Sequence, residues 1–401
     1  MIYDKLAWYN FPMDPSTSLI LEIQSGLINA AIVSATSTTS VVTSGVSAPA
    51  RILHFVSVPI AGAPHASTSR LLVSMNKALS QALQSLPNVH VVSRADCILS
   101  SPWIVSRTKS LTVTFPKDTL ITKKLIGTSI VPEREAMLRS AAGNGGGTPT
   151  ELTPIEQKIF EIKINGYPTA DITSKKGREL GIYFAVSMST ETIIETIRDT
   201  ALRHVSPPVA RRMAYHSSIL LGYAASRETT GAETNYILGH IHGELSDIAL
   251  VEKGITTLIA SFPFGYSSLI RETSKALGEP LAATRSKIAL HVGKSLHREE
   301  TERVSRAIET VIQERWVDEF LKAVTIFDGA TGTADETAHP LPYAIFLAVP
   351  SEYYLHFKKA LEDTSKEKPD SEKKDEGIVH KIHMFIVNHI NTGLIHTILK
   401  L

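Results

Sequence analysis

The sequence predicts an α/β protein made of two similar domains around a cleft. The chain has 401 residues, of which 43% are hydrophobic, and this length is too great for one small core. Segments typical of strands and of amphipathic helices alternate along it. A strand–turn–strand pattern also occurs twice, at 19–34 and at 236–251, and each copy is followed by further strands and helices. A duplicated fold with a cleft between its halves would produce this order.

The first half begins with sheet-forming segments. Residues 19–34, LILEIQSGLINAAIVS, are apolar and β-branched on both sides of a polar turn, which predicts a hairpin. Residues 51–60 predict another strand. Residues 67–86 begin with serines and then carry apolar residues at helical spacing, so they predict an amphipathic helix. In the loop 100–103, SSPW, a contact role is one interpretation, and a core or junction position for Trp103 is the other.

Residues 108–205 predict a compact α+β unit, a sheet with helices on one face. Its expected elements are a strand at 108–115, a helix or helix pair at 118–142, strands at 155–169 and 178–189, and a helix at 190–205. The glycine-rich stretch at 143–154 predicts a flexible loop. It is not a Walker motif, because the Gly-Lys-Ser/Thr ending is missing.

The second half predicts a helix at 209–228 and then a second hairpin region at 235–261. Three helices follow, and the last of them, at 299–324, places an apolar side chain at every fourth residue. A strand, a Pro-Ser turn and a helix are expected within 341–361. The charged, proline-containing stretch at 362–377 predicts a linker.

Residues 378–401 allow two interpretations. Their β-branched residues favour strands that close the sheet of the second domain. The alternative is an amphipathic tail that lies on a membrane, although Lys381 and Lys400 are its only permanent cations. Strands are the favoured interpretation.

Composition excludes several classes of function. The net charge of +1 gives no general attraction to nucleic acid or to anionic lipid, and we expect no nucleic-acid partner. The single cysteine, Cys97, excludes an intramolecular disulfide and a cysteine-rich zinc site. The first residues lack a secretory signal pattern, and no apolar stretch is long enough for a spanning helix. We therefore expect a cytoplasmic protein.

The two hairpin turns are the candidate phosphate-binding elements. One turn holds Ser25 and Gly26, and the other holds Gly243, Glu244, Ser246 and Asp247. Successive backbone N–H groups in such a turn can bind phosphate oxygens, and glycine lets the phosphate approach closely. Acidic groups at the rim can hold Mg²⁺ through water. Ordinary hairpins, with Ser and Asp side chains satisfying turn amides, are the alternative interpretation.

Two histidines stand on one face of the strand before the second turn, His240 and His242. A His-x-His pair could bind zinc. Since no third ligand is marked nearby, we expect no metal site here. Histidines that fill the cleft and form hydrogen bonds in it are the favoured interpretation.

In combination, these segments resemble the actin-like proteins FtsA and PilM of bacteria. The second hairpin with the following SFPFGYSSLIRETSKALG is similar to their phosphate-2 hairpin and helix, and LEIQSGLINAAIV is similar to their phosphate-1 hairpin. LPYAIFLAVPSEYYLHFKKAL stands where the adenosine-motif strand and helix are expected. Residues 108–205 resemble the SHS2-type subdomain that FtsA inserts in its first half. The resemblance covers most of residues 15–362.

The chain departs from this pattern at the turns. Glu22 replaces the phosphate-1 aspartate, Gln24 replaces a glycine, and Leu27 stands where a small hydroxyl residue is common. His240 occupies an aspartate position and His242 a glycine position. The segment AVPSEYY also lacks the paired glycines that admit the nucleotide. Bulky replacements and a lost carboxylate argue against tight ATP binding and against hydrolysis.

The resemblance implies an actin-like ATPase fold of two domains with an inserted SHS2-type subdomain. The expected division is 1–107 and 206–232 for domain 1, 108–205 for the insertion, 233–362 for domain 2, 363–377 for a linker and 378–401 for the C-terminal segment. The implied cofactor-binding residues are Gln24, Ser25, Gly26, His240, His242, Gly243, Glu244, Ser246, Asp247, Pro350 and Ser351. Asp247 and Glu22 are the only candidates for a catalytic role.

The implied function is a scaffold or adaptor in cell division or pilus-type assembly, with weak or absent binding of ATP and Mg²⁺. Such proteins self-associate into filaments, pair with a partner protein's peptide and can contact the inner face of the membrane. Two alternatives stay open. One is a pseudo-actin scaffold that uses no nucleotide, and the other is a kinase or ATP hydrolase of the same superfold.

Overall fold

The computed structural model describes residues 17–34, 51–61, 68–143, 151–230, 235–330, 344–350, 353–364 and 381–386. Its strands in chain order are β1 (Thr17–Ile23), β2 (Leu27–Ser34), β3 (Arg51–Pro59), β4 (Arg94–Leu99), β5 (Val105–Leu120), β6 (Leu152–Ile164), β7 (Tyr167–Pro168), β8 (Lys176–Thr190), β9 (Ala214–Ser217), β10 (Tyr236–Ile241), β11 (Ser246–Glu252), β12 (Ile255–Phe262), β13 (Ala344–Val349) and β14 (Lys381–Ile386).

The helices are α1 (Thr68–Ser85), α2 (Lys123–Gly143), α3 (Glu191–Leu202), α4 (Pro207–Arg211), α5 (Ser218–Thr230), α6 (Tyr266–Leu277), α7 (Leu281–Val292), α8 (Arg298–Val311), α9 (Asp318–Ala330) and α10 (Tyr354–Thr364). A π-helical segment, Ile312–Val317, joins α8 to α9 without a break.

Two of the three sheets formed by the described residues repeat the same topology. The first has the order β3-β2-β1-β4-β9 and the second has the order β12-β11-β10-β13-β14. In each, three antiparallel strands come first along the chain, and two parallel strands then extend the sheet beyond the first of them. The predicted duplication of an α/β fold is therefore confirmed.

Helices cover both faces of these sheets. The apolar residues of α1 and α3 form one core with β1, β2 and β4. The residues of α6, α8 and α10 form a second core with β10, β11 and β13. Helix α5 lies between the halves, because Leu221 packs on the first sheet while Leu220 and Tyr223 pack on the second. These buried contacts fix the position of one sheet relative to the other.

The third sheet, β5-β8-β6-β7, is inserted between β4 and β9 of the first sheet. Helix α2 covers one face of it and shares an apolar core with β8. On the other face, Ala185 and Phe160 pack against α5 and the second sheet. Helix α3, expected within the insertion, contributes Ile194 and Ile197 to the core of the first sheet.

Several predicted elements need correction. The helix expected at 209–228 is wrong in its first part, because β9 lies inside that range and pairs in parallel with β4. The region at 235–261 contains three strands rather than a hairpin, since a turn at Lys253 and Gly254 with positive φ returns the chain as β12. Residues 118–142 form the end of β5 and one helix that includes Pro132.

The C-terminal strand prediction is confirmed where the structure describes the chain. Residues 381–386 form β14, which pairs in parallel with β13, so the amphipathic-helix alternative is wrong for this segment. Most of the predicted linker at 363–377, most of the loop at 143–154 and the rest of the C-terminal segment lie outside the described residues.

Candidate functional site

The first candidate turn joins β1 to β2. Its ends are closed by the backbone hydrogen bond from Gln24 N to Leu27 O, 3.0 Å long. The side chains of Gln24 and Ser25 are buried. Trp103, which is also buried, donates from Nε1 to Gln24 O over 2.8 Å. The turn is therefore fixed both by its own backbone and by the loop after β4.

The second candidate turn joins β10 to β11 and is closed by the bond from His242 N to Leu245 O, 2.9 Å long. The N-terminus of α6 packs against it. Tyr266 N donates to His242 O over 2.8 Å, and Ser267 N donates to Gly243 O over 2.7 Å. Free N–H groups at a helix N-terminus attract anions. Here two of these groups bind carbonyls of the protein's own turn.

The two turns are in direct contact. A Cβ atom added to Gly26 would lie 2.7 Å from Gly243 Cα, and one added to Gly243 would lie 2.5 Å from Gly26 N. Glu244 N donates to Ser25 Oγ over 2.8 Å, which joins the halves by a hydrogen bond. The two backbones therefore fill the space between the turns, where a polyphosphate would have to lie.

Glu22, the first carboxylate candidate, is buried and held by side-chain amides. Gln24 Nε2 donates to Oε1 and Asn29 Nδ2 donates to Oε2, each over 2.8 Å. Each carboxylate oxygen thus has a donor from its own hairpin. This arrangement makes Glu22 part of the hairpin's internal structure.

Asp247, the second carboxylate candidate, is also buried and has several donors. Ser261 Oγ donates to Oδ1 over 2.6 Å, His242 Nε2 lies 3.0 Å from Oδ2, and Ser101 N donates to Oδ2 over 3.3 Å. Burial raises the pKa of Asp247, but the nearby His242 and these hydrogen bonds lower it more, to about 2. A carboxylate stabilised in this way is a poor general base.

The rings of the two histidines are in contact beside this carboxylate, with centroids 4.0 Å apart and planes tilted by 48°. Burial lowers the pKa of His240 well below its usual range, and the adjacent His242 lowers it further, so His240 is neutral at physiological pH. The Nδ1 atom of His242 is buried without a hydrogen-bond partner. Within the described ranges, no three His, Cys, Asp or Glu side chains are arranged to hold a metal ion.

The other predicted residues of the second turn have structural partners. Arg271 of α6 binds Glu244 through two hydrogen bonds of 2.8 and 2.6 Å. Ser246 is buried, accepts from Trp316 Nε1 over 3.0 Å and donates to Phe264 O over 2.7 Å. Both side chains thus anchor the turn to the helices of the second half.

The remaining predicted positions follow β13. Pro350 accepts a hydrogen bond from Tyr353 N, 3.0 Å long, at the start of α10. Ser351 lies outside the described residues. The structure thus brings residues of both glycine turns together. It shows no role for Pro350 beyond this turn.

Two residues at this site were not predicted from the sequence as part of it. Ser101 of the first half binds Asp247 and also lies 3.0 Å from Ser261, Oγ to Oγ, so the loop at 100–103 does make contacts. Gly265 was missed, although a Cβ atom there would lie 2.5 Å from Gly243 O. The glycine before a predicted helix was the available signal.

No protein-family model matches the chain, and no curated protein matches it. Among solved structures, the PilM-PilN type IV pilus biogenesis complex is similar, with a TM-score of 0.51 and 12% identity over 86% of this chain and 85% of that chain. The chain has a divergent actin-like fold. The repeated strand order of the two sheets agrees with this likeness.

Two further structures align with the actin-like fold of this chain at lower scores. One is the ethanolamine utilization protein EutJ from Carboxydothermus hydrogenoformans, with a TM-score of 0.43 and 10% identity over 96% of this chain and 90% of that chain. The other is a Bacteroides thetaiotaomicron protein with an actin-like ATPase fold and unknown function. Its TM-score is 0.40, with 8% identity over 98% of this chain and 100% of that chain.

Among the described residues, no helix is both long and apolar enough to cross a membrane.

Proposed function

We propose that this protein is an actin-fold scaffold or adaptor in cell division or pilus-type assembly, and that it works without nucleotide between its hairpin turns. The contact between Gly26 and Gly243 carries the proposal, because it leaves no space for a polyphosphate. ATP and Mg²⁺ could enter only if the turns separated. In that case ATP would act as a conformational ligand rather than as fuel.

The state of the carboxylates supports a scaffold rather than a kinase or hydrolase. Phosphoryl transfer needs groups that hold Mg²⁺ and orient the attacking nucleophile. Glu22 and Asp247 each receive hydrogen bonds on both oxygens from the protein itself. Releasing either of them would leave buried donors without partners, which costs about 1–3 kcal/mol for each donor.

A cavity at the junction of the three sheets supports a role in binding a partner protein. It has a volume of about 400 Å³ and opens to solvent. Its lining comes from the loop before β5 and the start of β5, from the end of β9 and the start of α5, and from the turn before β11, β11 and β12. Apolar walls formed by Ile104, Ile219 and Ile259 surround polar groups such as Arg107 and Ser261. These are the features of a specific binding pocket.

We propose that a short segment of a partner protein occupies this junction cavity. The similar solved structure is a complex of PilM with a second protein, PilN. In this chain the cavity is lined by Ser101 and Asp247, which form one of the hydrogen bonds between the halves. A partner bound there would therefore be sensitive to whether the two halves are closed. Self-association into filaments belongs to the same proposal.

Melting temperatures with and without nucleotide test the proposal. A ligand at about 100 times its Kd stabilises a protein by about 2.7 kcal/mol, which raises the Tm of a domain of this size by several degrees. We expect no shift with millimolar Mg-ATP relative to Mg²⁺ alone. We also expect the same concentration-dependent self-association, measured by sedimentation velocity, in both buffers.

Two results would contradict the proposal. A Tm increase of several degrees with Mg-ATP that disappears in Gly243→Val would show that the turns bind phosphate. A protein that stays monomeric at every concentration would argue against the scaffold role. The two measurements are independent, so they separate the nucleotide-free part of the proposal from the assembly part.

A further inference from the structure

The far end of the inserted sheet is strongly basic. Six exposed cations lie there: Lys117, Lys123, Lys124, Lys175, Lys176 and Arg178. The carboxylates at the same end are Asp118, Asp171 and Glu179. Among the described residues, only Arg178 of the six cations forms an ion pair, with Asp118 at 3.3 Å. We call this surface the insertion tip.

The fold, rather than the order of the sequence, assembles the insertion tip. Strand β5 shifts its register on β8 between Thr114 and Thr119, which leaves room for Lys117 to bulge outward. Leu120 then pairs with Lys176, and Ile121 N donates to Lys175 O over 2.9 Å. Helix α2 begins immediately afterwards with its two lysines.

The hairpin between β6 and β7 completes this end. Asn165 Oδ1 accepts hydrogen bonds from Arg178 N and Glu179 N, of 2.8 and 3.1 Å. This contact places the turn and the following Tyr167 beside the basic residues. Tyr167 is 77% exposed, and Leu120 is 47% exposed. The insertion tip therefore presents two apolar side chains among its cations.

Several cations of the second half are instead paired with carboxylates. Lys287 and Arg303 share carboxylates of Glu279 and Glu300, and the exposed Lys322 binds two acidic residues of its own helix. Such pairing neutralises these cations of the second half. The whole chain has a net charge of only +1, so the excess of cations at the insertion tip is local.

We propose that the insertion tip binds the surface of an anionic lipid membrane. Basic side chains near an anionic bilayer are attracted through its surface potential, and an exposed tyrosine and leucine can enter the interfacial region. The cations are mostly lysines, which are depleted from the centres of protein interfaces, where arginine is enriched. A membrane therefore fits this surface better than an acidic protein does.

This inference is independent of the turns and of the junction cavity. It also differs from the C-terminal membrane tail considered for residues 378–401, because it assigns the contact to the far end of the inserted sheet. A membrane bound at the insertion tip would orient the whole molecule through the contacts of the insertion with both halves. Those contacts include the buried Ala185 and the partly buried Phe160 beside α5.

Vesicle co-sedimentation of the full chain tests the inference. The probes are vesicles of phosphatidylcholine alone and vesicles that contain about 30% phosphatidylserine. We expect binding to the anionic vesicles only, and we expect that raising the salt from about 0.1 M to about 0.5 M releases most of the protein. The double variant Lys123→Glu/Lys124→Glu should reduce the vesicle partition coefficient by about tenfold or more. Tyr167→Ser should weaken the binding that remains at high salt.

Matched controls decide between the tip and other surfaces. The variant Lys275→Glu/Arg298→Glu reverses the charge of two exposed residues on α6 and α8, and it should bind the vesicles like the wild type. Melting curves of all variants verify that they fold. The inference is overturned if the wild type does not bind anionic vesicles or if both double variants lose binding equally. It is also overturned if Lys123→Glu/Lys124→Glu retains full binding. Preferential capture by polyglutamate or single-stranded DNA would overturn it as well.

Discussion

The contact between the two turns depends on two residues that have no side chain. A Cβ atom at Gly243 would meet the backbone of Gly26, which cannot rotate away as a flexible side chain can. We expect Gly243→Ala to destabilise the protein by about 1–3 kcal/mol, the usual cost of overpacking. Chemical denaturation measures this change in the free energy of unfolding.

Gly127→Ala is the matched control for this residue. Gly127 lies inside α2, and a Cβ atom there would have no neighbour within 4 Å. Alanine in a helix interior is favoured over glycine by about 0.5–1 kcal/mol, so this variant should be neutral or slightly stabilised. If Gly243→Ala behaved like Gly127→Ala, the turns would not be in contact in solution.

The sequence could show which residues replace the usual ones at the turns, but not what they bind. The resemblance to FtsA and PilM implies a glycine at His242, and the ring of this residue binds Asp247 of the same hairpin. Ser25 was predicted as a phosphate ligand, and its hydroxyl accepts from Glu244 N across the cleft. The partner of Ser25 is set by how closely the halves approach. That distance depends on the packing of α5, which no local pattern encodes.

Elements with strong periodicity were predicted well, and short buried ones were not. Helix α1 was expected at 67–86 and begins and ends within two residues of those bounds. Strand β9 has four residues inside a helix-like stretch, so its type is decided by pairing with β4. A four-residue segment is too short for alternation to show against the helix that follows it. Its position became evident only from the repeated topology of the two sheets.

Strand β14 gives a prediction at the scale of a single element. It forms the edge of the second sheet, where it pairs with the full length of β13. Truncation after residue 380 would expose the backbone groups of β13, and unpaired strand edges promote aggregation. We expect a lower Tm and loss of soluble protein on heating, measured by light scattering together with circular dichroism.

The control for this truncation ends the chain after Ile386 and keeps all of β14. We expect it to melt near the wild-type temperature, because the described pairing with β13 is intact. Equal behaviour of the two truncations would contradict a structural role for the strand. This comparison also separates the loss of β14 from any effect of the residues that follow it.

At the scale of the whole molecule, the insertion joins the two halves as well as extending one of them. Thr108 of β5 donates to Thr257 O of β12, so the insertion touches the edge of the second sheet. Glu156 of β6 accepts from Ser217 N over 2.8 Å, directly before α5. Burial raises the pKa of Glu156, although the bond from Ser217 N and the adjacent His216 and Lys158 lower it. The two halves are therefore held together by contacts at the turns, at α5 and at the insertion.

A cross-link between the turns tests whether this closure exists in solution. In Ser25→Cys/Glu244→Cys, the new thiols replace side chains of residues now joined by a hydrogen bond of 2.8 Å. Such neighbours can reach the Cα separation of about 4.4–6.8 Å that a disulfide needs. The native Cys97 is fully buried, and burial raises the pKa of its thiol, so it should not compete.

We expect this disulfide to form rapidly under mild oxidation, with a shifted band on a non-reducing gel and a higher Tm. The control pair Ser25→Cys/Glu252→Cys should not cross-link, because Glu252 is at the opposite end of β11. Mg-ATP is the informative addition. If nucleotide does not enter between the turns, the cross-linking rate is the same with and without it. A rate that falls several-fold with Mg-ATP would mean that ATP separates the turns, and the scaffold would then be controlled by nucleotide after all.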